Sequence, residues 1–230
     1  MYGRVLVRVL TWNLFHGRSV PPAGRGLLNE FAAQLDGWAW DVALLQEVPP
    51  WWPPLLARAC GGEQRTVLTS RNTLLFLRRA IAVRNPDLVK SEGGGCNAIL
   101  VRGGGIQEHE THRLARRPER RMMHGVRLAS GIWVVNLHAS TRGAAGEPQT
   151  RAESLQAAGT ALGWAGGAPL VLGGDFNLRG TPELPGLRHV AGHYVDHVYT
   201  SRIEPAGRSE TLDRGTLSDH APVAVDLAST

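Results

Sequence analysis

The sequence predicts an α/β fold in which buried strands alternate with amphipathic helices. Short apolar runs typical of buried strands recur along the chain, and several of them end abruptly in a polar residue. Stretches with apolar residues at helical spacing lie between these runs, and no linker-like segment separates the two halves of the chain. We therefore expect one domain over residues 1–230.

In the first half, Leu27, Phe31 and Leu35 recur at the spacing of one helix face, and Pro49-Pro50 ends a strand. The predicted elements are a strand over residues 5–12, a helix over 26–38, a strand over 41–45, a short helix over 51–60, a hairpin over 66–70 and 73–77, a flexible loop over 91–95 and a strand over 96–101.

In the second half, Leu155, Ala158 and Leu162 predict one buried face of the longest helix. The predicted elements are a basic, loop-rich segment over residues 102–121, paired strands over 123–128 and 132–137, that helix over 149–164, a strand over 169–172, a proline-containing loop around 182–185, and strands over 196–200 and 221–227.

The composition narrows the class of protein. The formal net charge is +5, and Lys90 is the only lysine among 25 basic residues. Guanidinium groups bind phosphate oxygens bidentately, but charge does not choose among DNA, RNA, a lipid headgroup and a small phosphate ester. Cys60 and Cys96 lack zinc-site spacing, so we expect both in the core. No apolar run approaches the ~20 residues of a membrane span, and we expect a cytoplasmic monomer.

Polar side chains follow most of the predicted strands. Their acid and amide oxygens suit a hard cation such as Mg²⁺ or Mn²⁺, and histidines near such a cation suit acid–base work. Structural alternatives stay open: the segment with Asp175 and Asn177 is equally consistent with a loop cap, and Asp219 with a turn. The set comprises Asn13, Glu47, His138, Asp175, Asn177, Asp196, Asp219 and His220.

Six short motifs, in this order, resemble those of the endonuclease/exonuclease/phosphatase superfamily. They are Thr-Trp-Asn at 11–13, Leu-Gln-Glu at 45–47, Asn-Leu-His at 136–138, Gly-Gly-Asp-Phe-Asn at 173–177, Val-Asp-His-Val at 195–198 and Ser-Asp-His-Ala-Pro-Val at 218–223. That superfamily includes deoxyribonuclease I-like nucleases and neutral sphingomyelinases. The resemblance implies a four-layer αββα sandwich, in which two packed mixed β-sheets are flanked by helices.

The resemblance also implies a metal site. It makes Glu47 the principal ligand of Mg²⁺ or Mn²⁺, with Asn13 beside it, and Asp219 a ligand of the same or a second ion.

The catalytic roles are implied in the same way. Asp175 would orient or deprotonate the attacking water, and Asn177 would support the phosphate or its metal. His138 would stabilise the transition state, while His220 would act as base or phosphate ligand, with Asp196 fixing its tautomer. The resemblance leaves open whether Asp175 or His220 is the base.

Several neighbouring residues receive no assigned role, because the sequence leaves two interpretations open for each. His16 and His197 adjoin motif residues and could contact substrate. Asn97 could line the cleft or close a turn. Arg120 or Arg121 could reach a substrate phosphate, but a solvated basic loop is the expectation. Trp51 and Trp52 could form an exposed patch for a base or lipid, but packing at a helix start is the expectation.

Two branches of the family are disfavoured. Phe15 stands where abasic-site endonucleases carry an acid, and Val195-Asp196-His197 stands where inositol polyphosphate 5-phosphatases carry Cys-Asp-Arg. We therefore expect a Mg²⁺-dependent phosphoesterase that cleaves phosphodiesters by in-line water attack, with nucleic acid as the first substrate. A phospholipid, sphingomyelin-type or small phosphate ester is the alternative, and a non-catalytic phosphate-binding protein ranks below both.

Overall fold

A computed structural model describes residues 6–70, 72–90, 95–103, 105–141 and 146–229, which form two mixed β-sheets. The first sheet has seven strands: β1 Leu6–Asn13, β2 Val42–Val48, β3 Gly62–Leu68, β4 Cys96–Arg102, β11 Ile203–Pro205, β12 Glu210–Thr211 and β13 Val223–Ser229. The second sheet has six: β5 Ile106–Ala115, β6 Arg121–Leu128, β7 Trp133–His138, β8 Leu170–Asp175, β9 Arg188–His193 and β10 Asp196–Ser201. The helices of the described part are α1 Leu28–Gly37, α2 Pro53–Ala59, α3 Leu75–Ala82 and α4 Glu147–Ala165, with short 3-10 turns at Phe15–Gly17 and Pro86–Leu88.

Each sheet has one parallel pair of strands near its centre. The strand order is β11-β13-β1-β2-β4-β3 in the first sheet, with β12 beside β13, and β5-β6-β7-β8-β10-β9 in the second. Strands β1 and β2 run parallel with Asn13 opposite Gln46, and β7 and β8 run parallel with His138 opposite Asp175. The carboxyl ends of a parallel pair meet at one edge of the sheet, which is where α/β folds place ligands.

Three apolar layers confirm the predicted four-layer sandwich. Helices α1 and α2 cover the outer face of the first sheet through Phe31 and Leu56. Helix α4 covers the second sheet through small side chains such as Ala157 and Ala161. Between the sheets lies a layer of branched residues, contributed by both sheets, that includes Val9, Leu44, Val134, Val171 and Val225.

A polar cluster interrupts the layer between the sheets. Gln46 Nε2 of the first sheet donates a hydrogen bond to Asn136 Oδ1 of the second at 2.8 Å. Asn136 Nδ2 in turn donates to the carbonyls of Leu45 at 2.9 Å and Ala98 at 3.0 Å. These directional hydrogen bonds favour one alignment of the two sheets, while the buried Gln46 Oε1 makes no hydrogen bond within the described residues.

Two predicted elements of the first half differ from the structure. Residues 73–77 do not form the second strand of a hairpin, because Leu75–Ala82 is helix α3, built from the strong helix formers Leu, Arg and Ala. The predicted loop over 91–95 falls mostly on residues 91–94, which lie outside the described residues.

The second half contains three further differences. The predicted loop over 102–121 contains β5, a ten-residue strand whose largely exposed, polar side chains hid it from hydrophobic patterning. Strand β9 was not predicted, since it too lies at a sheet edge and only one of its six residues is buried. Leu155 is 44% exposed rather than buried, because α4 packs through its small residues.

The remaining predicted strands and helices are present, with ends that shift by a few residues. Cys60 and Cys96 are buried free thiols, as predicted. Among the described helices, none combines the length and the apolar character needed to cross a bilayer.

The Gln46–Asn136 cluster leads to a stability prediction. Replacing Asn136 by Ala should lower the free energy of unfolding by about 2–4 kcal/mol, because three buried hydrogen bonds are lost: two to the carbonyls of Leu45 and Ala98, and one of the three donated by Gln46 Nε2. Urea unfolding of the wild type and Asn136→Ala measures the difference.

The matched control is Gln34→Ala. This change removes a single exposed hydrogen bond, from Gln34 Nε2 to the Asp213 carbonyl at 3.0 Å. Its expected effect is below about 0.5 kcal/mol. Equal effects of the two variants would show that the buried cluster does not stabilise the sandwich.

Candidate active site

The polar residues named from the sequence converge where the two sheets open at the strand ends. Asn13 ends β1 and Asp175 ends β8, and Asn13 Nδ2 donates a hydrogen bond to Asp175 Oδ2 at 3.0 Å, from one sheet to the other. His138 ends β7 with its Nε2 3.6 Å from the same oxygen. The site therefore continues the layer between the sheets at its open end.

Two glycines let Asp175 approach the neighbouring strands. A Cβ on Gly174 would lie 2.0 Å from the Leu137 carbonyl oxygen, and Gly174 has a φ of +140°. A Cβ on Gly173 would lie 2.8 Å from Leu44 Cδ1 of the facing sheet. Only glycine fits this close packing, which explains the Gly-Gly before Asp175.

Glu47 reaches the site through an irregularity in β2. Strict alternation would point it with Leu45 toward the helices, but the register shifts between Leu45 and Val48 and Glu47 has a φ of +50°. Its Oε2 lies 2.9 Å from His16 Nε2 and its Oε1 3.8 Å from His138 Nε2. The carboxylate opens into a cleft of about 550 Å³.

Glu47 is ionised at neutral pH. Burial alone would raise the pKa of this carboxyl, but the charge and hydrogen bond of His16, together with the charge of Arg121, hold the pKa well below its usual range. An anionic oxygen ligand therefore faces the cleft, and no proton has to leave Glu47 before a cation binds.

Arg121 fixes the tautomer of His138. Arg121 Nη1 lies 3.2 Å from His138 Nδ1, and a guanidinium can only donate, so Nδ1 accepts and the imidazole proton lies on Nε2. Burial and the Arg121 charge lower the pKa of His138 well below its usual value, which keeps the ring neutral. Its Nε2–H therefore points toward Glu47 and Asp175 as a hydrogen-bond donor.

His220, Asp196 and Asp175 form the other part of the site. The antiparallel pairing of β8 and β10 places Asp196 opposite Asp175. His220 Nδ1 lies 2.7 Å from Asp196 Oδ2, and His220 Nε2 lies 3.9 Å from Asp175 Oδ2. Burial would lower the pKa of His220, but the hydrogen bond and charge of Asp196 raise it to about 10.

The pKa of Asp175 is shifted in the opposite direction to that of Glu47. Burial first, and the charge of Asp196 second, raise the pKa of Asp175 to about 7. Its Oδ1 accepts the backbone N–H of Asn177 at 2.8 Å. Asn177 adopts a φ of +51°, and its Nδ2 donates to the Ala139 carbonyl at 3.0 Å, so the loop after β8 is fixed.

Asp219 lies at the margin of this cluster. Its side chain is 44% exposed, and its Oδ1 lies 3.9 Å from His220 Nε2. The metal role implied for Asp219 stays a prediction.

The oxygens of Glu47 and Asn13 suit a hard cation. Glu47 offers an ionised carboxylate, and Asn13 Oδ1 accepts one hydrogen bond, from Phe15 N at 2.9 Å, which leaves a second lone pair. Asp175, Asp196 and His220 also bring one potential ligand atom each to within 4.8 Å of one another. In that second group the pKa of His220 is raised to about 10, so its imidazole is protonated at neutral pH and offers no lone pair to a cation, which favours acid–base work over metal binding.

Two residues join the site that the sequence left without a role. His16 follows Phe15 in a turn where both residues have positive φ, a geometry that sequence patterning does not reveal. Arg121 begins β6 and is buried, although the sequence predicted a solvated basic segment.

The other neighbouring residues have structural contacts. Arg120 donates to the carbonyls of residues 68–70, and Trp52 is buried, as predicted for a packed helix start. His197 lies 3.2 Å from His189, and Asn97 donates to the Met122 carbonyl.

This fold and this collection of carboxylates, amides and histidines are those of a phosphoesterase. The chain belongs to the endonuclease/exonuclease/phosphatase family, whose sequence description matches residues 10–220. No curated protein matches the sequence.

Solved structures share the fold at low sequence identity. An endonuclease/exonuclease/phosphatase from Bacteroides vulgatus superposes with a TM-score of 0.73 at 16% identity, covering 97% of this chain and 98% of that one. A family protein from Bacteroides thetaiotaomicron gives 0.72 at 17% identity with 100% of both chains covered. Truncated TDP2 from Caenorhabditis elegans gives 0.66 at 17% identity, covering 96% of this chain and 97% of that one.

The His220–Asp196 pair predicts a pH-dependent stability. Because the folded-state pKa of His220 is raised to about 10, its contribution is fully present below the unfolded-state pKa of about 6.5 and is lost as pH rises toward 10. The wild type should therefore be more stable than His220→Asn at pH 6.5, and this difference in the free energy of unfolding should shrink as the pH rises to 10. The decrease should be at most about 1.4 kcal/mol per pH unit. Urea unfolding in chelator at several pH values measures it.

The control is Asp196→Asn, which removes the carboxylate that raises the pKa of His220. This variant should lack the same pH-dependent contribution. A difference between the wild type and His220→Asn that stays constant from pH 6 to 10 would contradict the ion pair.

Proposed function

We propose that the protein is a Mg²⁺- or Mn²⁺-dependent hydrolase that cleaves phosphodiester bonds by in-line attack of water. The observation that carries the proposal is the division of the site into two parts. An ionised Glu47 faces the cleft, while Asp175 and the His220–Asp196 pair lie across from it with raised pKa values. Asn13 and His138 join the parts by contacts to Asp175.

Glu47 and Asn13 would hold the cation. When bound, a divalent ion neutralises phosphate charge and makes phosphorus more electrophilic. His16 Nε2 lies 2.9 Å from Glu47 Oε2, and this contact orients the carboxylate toward the cleft.

His138 would donate its Nε2–H to a non-bridging phosphate oxygen. Arg121 holds the proton on that atom, so the donor is oriented before substrate arrives. Donors fixed in this way stabilise charge that develops in the transition state. Asn177 has a second amide hydrogen beyond the one given to Ala139, and this hydrogen would support the phosphate.

We propose Asp175 as the group that receives the proton of the attacking water. His220 lies between two carboxylates, with Asp196 at 2.7 Å and Asp175 at 3.9 Å, a geometry that keeps the imidazole protonated. A protonated His220 donates to phosphate or to the leaving oxygen and cannot act as base. Asp175 then remains as the buried acceptor next to the reacting water.

Two substrate classes follow from different observations. The net charge of +5 supports nucleic acid, as expected from the sequence. However, several arginines already form ion pairs with carboxylates, which weakens the argument from charge for nucleic acid. These arginines are Arg8, Arg18, Arg102, Arg127 and Arg188. A phospholipid headgroup is the second candidate, and the apolar surface of α3 beside the cleft favours it. We further propose that the protein acts in the cytoplasm as a monomer.

The test is a substrate panel with DNA, RNA, phospholipid and a soluble aryl phosphodiester, each with Mg²⁺ and with chelator. Turnover should require the cation, and Asp175→Asn should lower kcat by about 10²–10⁴-fold through loss of the proton acceptor. Glu47→Gln should raise the Mg²⁺ concentration needed for half-maximal turnover, since the anionic ligand is lost. Salt should weaken turnover of nucleic acid steeply and that of the soluble diester little.

The control variant is Gln34→Ala, whose exposed hydrogen bond lies outside the site, and it should match the wild type. The proposal is wrong if no diester is turned over, if chelator has no effect, or if Asp175→Asn retains wild-type kcat.

A further inference from the structure

Helix α3 and the turn after it expose an unusual number of large apolar side chains. We define the α3 patch as Leu74, Phe76, Leu77, Ile81, Val83 and Leu88, which are 73%, 89%, 57%, 37%, 54% and 73% exposed. Leu77 and Ile81 lie one helical turn apart on the same side of α3. An apolar surface of this extent on a monomer marks a site of interaction.

Positive charge predominates in the segment that carries the α3 patch. Residues 68–90 contain five cationic residues and a single acid, Asp87. Asp87 is engaged by Arg18 Nε at 3.1 Å and by the backbone N–H of Gly24 at 2.9 Å. The nearby cations Arg79 and Arg84 are exposed, so the segment combines apolar side chains with net positive charge.

The α3 patch adjoins the candidate active site. Arg78 belongs to α3 and lines the same cleft of about 550 Å³ as Glu47 and His138. On its inner side the helix is anchored by the buried Ala82, which shares a small pocket with His16 and Trp52. A surface that binds the α3 patch would therefore be held at the mouth of the cleft.

We infer that the α3 patch binds the surface of an anionic phospholipid bilayer and presents lipid headgroups to the site. Apolar side chains flanked by arginines are the pattern of a helix that lies in a membrane interface: the apolar groups enter the acyl boundary and the cations meet anionic headgroups. Nucleic acid would use the cations but would leave six apolar side chains in water. The headgroup part of this inference rests on the proposed function, whereas the binding part does not.

The test measures sedimentation with vesicles of phosphatidylcholine alone and of phosphatidylcholine with phosphatidylserine, in chelator so that no turnover occurs. The wild type should bind the anionic vesicles about 10-fold more strongly, and added salt should reduce the difference. The double variant Phe76→Ser/Leu77→Ser should lose about 10-fold in binding to anionic vesicles. Arg84→Gln should weaken binding to the anionic vesicles only.

Leu155→Ser is the matched control, because Leu155 is 44% exposed on α4, away from the α3 patch. It should bind vesicles as the wild type does. The double variant should also keep wild-type turnover of the soluble diester, which separates loss of docking from loss of catalysis.

Three results would overturn the inference: no binding of the wild type to either vesicle, wild-type binding by the double variant, or a solution dimer or DNA complex that the double variant abolishes. Vesicle binding without turnover of any diester would instead contradict the proposed function and leave the docking surface standing.

Discussion

The hydrogen bond from Gln46 to Asn136 is the contact on which the arrangement of the site depends. At 2.8 Å it joins the two sheets inside an otherwise apolar layer, one residue before Glu47 and two before His138. Apolar contacts between sheets are not directional, whereas the hydrogen bonds donated by the Gln46 and Asn136 amides form in one alignment. That alignment brings Asn13 of one sheet within 3.0 Å of Asp175 of the other.

The same layer changes character along its length. Alternate residues of β7 and β8 pass from Val134 and Val171 in the apolar centre to His138 and Asp175 at the open end. The period of two that builds the core therefore also directs the side chains of the candidate site toward the cleft. Glu47 is the exception, since an irregularity in β2 turns it into the cleft.

The two carboxylates Glu47 and Asp175 differ in pKa because they have different neighbours. His16 and Arg121 keep Glu47 ionised, whereas the desolvation of Asp175 beside another carboxylate raises its pKa to about 7, which suits a group that accepts a proton near neutral pH. Glu47 and Asp175 are both carboxylic acids with similar pKa values in water. The different roles that we propose for them therefore result from their surroundings.

Most of the fold and most residues of the candidate site could be predicted from the sequence, because polar residues stand at the ends of apolar strands. Asn13, His138 and Asp175 were found by the abrupt change from apolar to polar at the end of a strand, and the order of the motifs identified the sandwich. The positions that escaped have no such signal. His16 depends on positive-φ turn geometry, β5 is a polar edge strand, and α3 was taken for a strand because its apolar residues face solvent.

The central claim is that the cation binds on the Glu47 part of the site and that the Asp175 part handles protons. Crystals soaked in Mn²⁺ would test this claim by the position of the anomalous peak. The account predicts a peak about 2.0–2.2 Å from a Glu47 carboxylate oxygen. A peak held by Asp175, Asp196 and His220, with none at Glu47, would contradict it.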